Sequence, residues 1–266
     1  MTLPSTPTIV PEPHPKEDQH FLIDEMVLKF ILKTAQLKKE EEILEIGAGS
    51  GNLTKLLAPK VKKVLAVEKD FRFLPELEKI ENVEVLGMDV HNLFFQRKYF
   101  AKIVANIPYQ ICEPLMRYLC YSSYTNNLQL AVLLLPKPFA EKAKEHPVFS
   151  AFLEIELLLE VPRSAFQPQP HVTSAVVKIT PRKELNENLF LRRKLFLQED
   201  KKVKNALRDT LIDFSDYLKK AKLTKKKALD LIDKMFLSDD FLDAKMNELK
   251  NKEFNVLVQK IEELKL

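Results

Sequence analysis

Residues 105–111 read Ala-Asn-Ile-Pro-Tyr-Gln-Ile and follow a short apolar run, Lys102–Ala105, with the pattern of a buried strand. An amide, a proline and a tyrosine directly after a strand suit the activation of a weak amine. The lone pair of an exocyclic amino group on a nucleobase is delocalised into the ring, so the nitrogen is a poor nucleophile. Two acceptors on its hydrogens favour a tetrahedral nitrogen whose lone pair is free to attack. The Asn106 side-chain oxygen is one such acceptor and the Ile107 carbonyl the other. Pro108 fixes the turn that holds this carbonyl. Tyr109 offers a ring on which a splayed base stacks. A site of this kind works by positioning and electrostatics and needs no strong base. An N-x-P-Y stretch alone is also what a chance turn looks like, so its meaning depends on its neighbours.

Three of the chain's four glycines fall within five residues, in ILEIGAGSGNLT: Gly47, Gly49 and Gly51. Glycine lets the backbone turn tightly and approach a ligand with no Cβ in the way. A strand, this loop and a helix beginning near Asn52 form the first unit of a nucleotide-binding α/β fold. Glu68 closes the next strand, VLAVEKD, 21 residues after Gly47. A carboxylate there accepts hydrogen bonds from the ribose hydroxyls of an adenosine. Asp89 closes a third strand in VLGMDVHN, where it can accept from an adenine amino group. The loop reads G-x-G-x-G, with Asn52 where a dinucleotide fingerprint places glycine, and an acid, Glu45, stands two residues ahead of it. This set suits S-adenosylmethionine better than NAD. The competing reading makes Glu68 and Asp89 helix caps, and the glycine loop weighs against that for both at once.

These residues need a sheet to bring them together. Apolar runs at Ile43–Ile46, Val64–Val67, Val83–Leu86, Lys102–Ala105, Gln129–Leu135, Glu154–Val161 and Ser174–Ile179 read as strands. Helical spacing lies between the earlier ones and over 24–36, which predicts a mostly parallel sheet with helices on both faces. The last two strands have no helix between them and are expected to pair antiparallel across PRSAFQPQPHVT. All four of the early strand ends then open onto the carboxyl edge of the sheet, where ligands bind. Past Pro181 the texture changes to lysine-rich helical spacing, which predicts a small domain of three to five helices. Residues 1–15 hold five prolines and no apolar period, and read as a flexible tail.

The chain of 266 residues has room for a core, with 45% apolar residues. No apolar stretch approaches the ~18 residues that read as a transmembrane span, and the N-terminus lacks the apolar run of a secretory signal. Cys112 and Cys120 fit a reduced cytoplasmic protein and lack zinc-ligand spacing; the five histidines are scattered, so no metal site is expected. Charge is uneven. Residues 1–181 hold 21 Lys and Arg against 22 Asp and Glu, net −1, while 182–266 hold 21 against 16, net +5. A basic C-terminal region suits a polyanion, or is simply a solvated helical surface.

Taken in order, QHFLID (19–24), LEIGAGSGNLT (44–54), VEKD (67–70), MDV (88–90), NIPYQI (106–111) and VPRSAFQPQPHVTSAVVKI (161–179) resemble the small-subunit ribosomal RNA adenine N6-dimethyltransferase family. The resemblance covers about 16–181; KKVKNAL (201–207) is a weaker match. It implies a Rossmann-like class I methyltransferase sheet, an S-adenosylmethionine-binding domain over 16–181 and a helical RNA-binding domain over 182–266. It implies dimethylation of N6 on two adjacent adenosines near the 3′ end of small-subunit ribosomal RNA, by a cytoplasmic monomer acting on the immature small ribosomal subunit. Gln19, His20 and Leu22 would line the donor pocket, Gly47 and Gly49 cradle the methionine part, and Glu68 bind the ribose. Asp89 and Val90 would hold the adenine. Asn106 borders donor and acceptor; with Ile107, Pro108 and Tyr109 it would hold the target base, and Phe166 would stack from the other side or pack in the core.

Departures from the family pattern are Asp18 where glycine is usual, His20 where asparagine is common, Pro138 in a loop that looks shortened, and Glu199 and Asp200 where basic residues are expected. Those at 138, 199 and 200 bear on RNA contacts; none touches the donor set. Two other readings share most of the motifs. One is methylation of adenines in large-subunit RNA. The other is a ribosome-assembly or RNA-binding factor without catalysis, which the intact Gly47, Glu68, Asp89 and Asn106 set argues against.

Overall fold

The computed structural model describes residues 19–96, 99–221 and 223–264, so the expected tail at 1–15 and Asp18 lie outside the described residues. The first helix, α1 (Glu25–Ala35), follows from its sequence. Asp24 caps it by accepting from the Met26 and Val27 amides at 2.8 and 3.1 Å. Val27, Leu28, Ile31 and Ala35 put one apolar stripe into the core, and Gln36 ends the helix in the left-handed region at φ 48°.

A seven-stranded sheet follows, formed by β2 (Glu42–Ile46), β3 (Lys63–Glu68), β4 (Val83–Gly87), β5 (Lys102–Asn106), β6 (Leu130–Pro136), β7 (Leu153–Val161) and β9 (Ser174–Pro181). Their order is β4-β3-β2-β5-β6-β9-β7. The first five run parallel, and β9 pairs antiparallel with both β6 and β7. The central strands β2, β3, β5 and β6 are apolar and buried along nearly their whole length, as strands covered on both faces must be. Lys102, at the start of β5, is a buried charge among them, 6% exposed. Its ammonium bonds both Glu41 oxygens, at 2.8 and 2.7 Å, and the Gln36 carbonyl at 3.0 Å. Burial works to raise the Glu41 carboxyl, but the bonds from Lys102 and the Lys38 amide hold it below its ordinary value.

The chain leaves β2 toward β3 and β4, then returns to place β5 on the other side of β2. Loops after β2 and β5 therefore diverge and open a crevice at the carboxyl edge. The helix expected near Asn52 is brief: α2 (Thr54–Leu57) gives way to a 3-10 turn over Ala58–Lys60. Pro59, which has no N–H to donate, stands in that turn. A two-stranded ribbon that periodicity did not suggest pairs β1 (Phe21–Leu22) antiparallel with β8 (Phe166–Gln167). It joins the QHFLID and SAFQPQP segments.

The chain forms two compact units. The sheet unit comprises 19–145 and 153–181. The helical unit comprises 182–264 together with 146–152, which sequence reasoning had placed with the sheet. The reason is local. The Arg193 Nε donates to the Ala151 carbonyl at 2.6 Å, the Arg182 Nε to the Ser150 carbonyl at 2.7 Å, and the Arg193 guanidinium lies over the Phe152 ring. Helices α8 (Glu187–Phe196), α9 (Val203–Tyr217), α10 (Lys225–Asp233), α11 (Asp239–Asp243) and α12 (Asn251–Glu263) build the rest of this unit around Leu191, Leu195, Leu207, Leu211 and Leu257. Pro138 sits in the first turn of α6 (Lys137–Glu145), where proline is tolerated.

Candidate active site

One cavity opens at the carboxyl edge, and every candidate residue but one lines it: Gln19, His20, Gly47, Gly49, Glu68, Asp89, Val90, Asn106, Ile107, Pro108, Tyr109 and Phe166. The exception is Leu22. Side chains alternate along a strand. Phe21 faces the glycine loop, so Leu22 turns into the core, 2% exposed, and offers only its carbonyl, to the Asn52 amide at 2.9 Å.

The loop after β2 is held by Val67 of β3, whose carbonyl accepts from the Gly47 amide at 2.8 Å and the Ala48 amide at 3.3 Å. Gly47 and Gly49 both lie in the left-handed region, at φ 70° and 51°. A Cβ on Gly47 would stand 3.1 Å from Pro108 Cδ, so the glycine loop and the NIPY turn are in direct contact. Glu68 is 7% exposed. One of its oxygens accepts from the Gly49 amide at 2.8 Å and the other from the Asp70 amide at 2.9 Å. Each carboxylate oxygen has a further lone pair, so these bonds orient the group without exhausting it.

Asp89 caps α4 (Val90–Phe95) through Oδ1, which accepts from the His91 amide at 2.8 Å and lies 2.7 Å from its ring Nδ1. The His91 amide, more than any other contact, holds the Asp89 carboxyl below its usual range. Both sequence readings of Asp89 therefore meet in one residue: one oxygen caps, and Oδ2 has no hydrogen bond among the described residues.

Asn106 ends β5. Its Nδ2 donates to the His20 carbonyl at 2.9 Å. This bond settles which end of the amide is which, because the opposite orientation would set two oxygens together. The Ile107 amide donates to Leu134 of β6 at 3.2 Å, and the Ile111 amide to the Pro108 carbonyl at 3.2 Å, which pins the turn at both ends. Tyr109 lies 3.4 Å through its hydroxyl from Ser174 Oγ, and its ring is 6.0 Å from that of His20. Phe166 is 4% exposed and belongs to the core cluster while also lining the cavity, so packing is its main role.

Two residues at the site had gone without a role. Phe21 packs edge-on against Phe73 at 5.4 Å and covers Gly49. Asp70 accepts from Gln19 Nε2 at 2.8 Å and from Arg72 Nε at 2.9 Å, which ties the N-terminal segment over the cavity. The Arg72 bonds hold the Asp70 carboxyl far below the usual range. The only sequence signal for this clasp was a second acid two residues past Glu68.

Glu45 lies under the loop, 1% exposed, with Oε2 lacking a hydrogen bond among the described residues. Burial pushes its carboxyl up to about 8 from an ordinary 4.5. The folded state thus keeps this proton longer than the unfolded chain does. The stability tied to Glu45 is full below pH 4.5 and is lost as pH rises toward 8. Wild type is expected to lose stability against Glu45→Gln across that window, by up to about 1.4 kcal/mol per pH unit. Urea melts at stepped pH check this; parallel curves for the two proteins would overturn it.

A family model described as Ribosomal RNA adenine dimethylase matches residues 12–241. The chain is 36% identical over 213 residues to a probable ribosomal RNA small subunit methyltransferase A of Methanosarcina barkeri, covering 73% of this chain and 72% of that one. It is 34% identical over 218 residues to the ribosomal RNA small subunit methyltransferase A of Halothermothrix orenii, covering 71% and 72%. Among solved structures it resembles a dimethyladenosine transferase from Plasmodium falciparum, with TM-score 0.56 and 25% identity over 93% of this chain and 99% of that one. The 23S rRNA methyltransferase ErmE shares the fold, with TM-score 0.54 and 20% identity over 91% and 99%.

Proposed function

The chain belongs to the ribosomal RNA adenine dimethylase family, and from that premise we propose that it uses S-adenosylmethionine to dimethylate N6 of two adjacent adenosines near the 3′ end of small-subunit ribosomal RNA. The small subunit is favoured because the curated relatives are named for it. The observation that carries the chemistry is the Asn106 amide: its nitrogen is spent on the His20 carbonyl, beside a glycine loop with no room for a Cβ at Gly49.

The donor fits the residues present. Gly47 and Gly49 leave space at the loop, Glu68 presents two oriented oxygens to the ribose, and Asp89 Oδ2 with Val90 takes the adenine. When bound, the donor supplies a methyl group made electrophilic by a positive sulfonium. Asn106 Oδ1 and the Ile107 carbonyl, which accepts no hydrogen bond among the described residues, take the two hydrogens of the target amine. The nitrogen lone pair then turns toward the methyl. Tyr109 stacks on the base, with the edge of Phe166 opposite. The nitrogen becomes acidic once methylated and releases its proton to water, so the site works without a buried base.

The helical unit is assigned to RNA contact, and the enzyme is taken to act as a cytoplasmic monomer. No helix among the described residues is long and apolar enough to cross a membrane. The test is methyl transfer from labelled S-adenosylmethionine into small subunits that lack the marks, read by nucleoside mass spectrometry. N6,N6-dimethyladenosine in small-subunit RNA is expected. Label only in large-subunit RNA would overturn the substrate and keep the chemistry; donor binding without transfer would favour an assembly factor.

A further inference from the structure

The lysines that sequence reasoning assigned to RNA are partly spoken for. Lys201 bonds Asp209 at 2.8 Å and Lys202 bonds Asp243 at 2.9 Å. A different surface, on the sheet unit, carries cations that are not. Two adjoining grooves run along the outer side of α1 and share Lys29 and Leu32. Their floor is aliphatic, from Leu28, Leu32 and Leu37, and α2 with the following turn forms the opposite wall. Five lysines line them: Lys29, Lys33, Lys39, Lys55 and Lys60.

Among the described residues one carboxylate lines the same grooves, Glu25, and it pairs with Lys29 at 3.0 Å with both side chains largely exposed. Lys33 and Lys60 have no acidic partner among the described residues. Lys39 and Lys55 reach only backbone carbonyls, of Pro59 at 2.6 Å and Ser50 at 3.5 Å. Four ammonium groups without a counter-charge along one groove make a site for a polyanion. The whole-segment count of −1 concealed it, because among the described residues Glu25 is the one acid of that segment that lines the grooves.

We infer that this groove holds the phosphate backbone of the ribosomal RNA strand next to the target adenosine. The inference rests on the proposed RNA substrate and adds to it where that RNA is gripped. Two residues of its wall lie close along the chain to residues that line the cavity: Ile23 comes shortly after Phe21, and Asn52 shortly after Gly49. The grip is independent of base identity. Among the described residues the groove has no aromatic ring and no arginine fork, and the amide nitrogen of its one asparagine, Asn52, is spent on Leu22. The four unpaired cations disfavour the basic surface of a typical ribosomal protein.

The test replaces Lys33, Lys39, Lys55 and Lys60 with glutamine together, and with arginine as a charge-keeping control. Binding to unmethylated small-subunit ribosomal RNA is measured from 50 to 200 mM KCl, alongside donor affinity and steady-state transfer. Each lysine lost should flatten the log–log salt slope by about one. The glutamine variant should therefore bind far more weakly at 50 mM, with a raised KM for RNA, unchanged kcat at saturation and unchanged donor affinity. The arginine variant should keep the wild-type slope. An unchanged slope in the glutamine variant overturns the inference. So does an unchanged slope on naked RNA with impaired methylation of assembled subunits, which would assign the groove to a protein of the subunit. If wild type methylates no small-subunit RNA, the proposed function fails, and the salt slopes still judge the groove.

Discussion

Replacing Asn106 with alanine is expected to lower kcat for adenine methylation about 10²–10³-fold, the usual loss for one oriented electrostatic contact to a reacting group. Donor affinity should change little. The side chain has two jobs that the substitution removes together. Its nitrogen holds the His20 carbonyl at 2.9 Å, and its oxygen takes a hydrogen of the target amine in the proposed mechanism. Asn106→Asp separates them. It keeps an oxygen for the amine but sets a carboxylate against the His20 carbonyl, so the orientation suffers and the acceptor remains. Its rate should fall between those of wild type and Asn106→Ala. Single-turnover transfer into unmethylated RNA measures the rates, and calorimetric titration measures the donor. An alanine variant with full kcat would sink the two-acceptor arrangement. One with poor donor binding would move Asn106 from the acceptor side to the donor side.

Much of this site was legible because a parallel sheet converts sequence order into spatial proximity. Gly47, Glu68, Asp89 and Asn106 each stand at the end of an apolar run, and the fold brings such ends to one edge. Reading the runs was therefore enough to group residues up to 59 apart, from 47 to 106. What the period of a strand cannot report is pairing between segments too short to show a period. The ribbon of Phe21–Leu22 with Phe166–Gln167 is two residues long on each side. It decides that Phe21 covers the glycine loop and Leu22 does not line the cavity.

Charge was legible only as a sum along the chain. Lys201 and Lys202 lie in the basic C-terminal region, yet acids sit beside them: Asp209 beside Lys201, and Asp243, far along the sequence, beside Lys202. Lys33, Lys39, Lys55 and Lys60 were hidden by nearby acids that engage other partners: Glu41 bonds Lys102, Glu42 bonds Lys62, and Glu45 is buried. The same limit explains 146–152. Its place with the helical unit depends on arginines at 182 and 193, more than 30 residues downstream.

Gly49→Ala is expected to weaken donor binding at least about tenfold, the equivalent of 1.4 kcal/mol. Two costs act at this position. Gly49 sits at φ 51°, and the left-handed region costs alanine about 1–2 kcal/mol. A methyl there would also lie 2.7 Å from Phe21 Cε1. Phe21 has little freedom to retreat, since it packs edge-on against Phe73 and its backbone pairs with Gln167. If the loop yields instead, the Gly49 amide leaves Glu68 Oε2, now 2.8 Å away, and the ribose acceptor loses its orientation. If Phe21 yields, the segment carrying Gln19 and His20 lifts from the cavity. The double variant Gly49→Ala, Phe21→Ala removes the contact and keeps the dihedral cost, so partial recovery of donor affinity would assign the loss to the contact. Gly51→Ala is the matching control. Gly51 has φ 79°, but its neighbours are Leu77 and Ile80, outside the cavity. It should lower the melting temperature and leave donor affinity in the folded protein near wild type. Equal donor affinity in wild type and Gly49→Ala would remove Gly49 from the donor cradle, whatever the two variants do to stability.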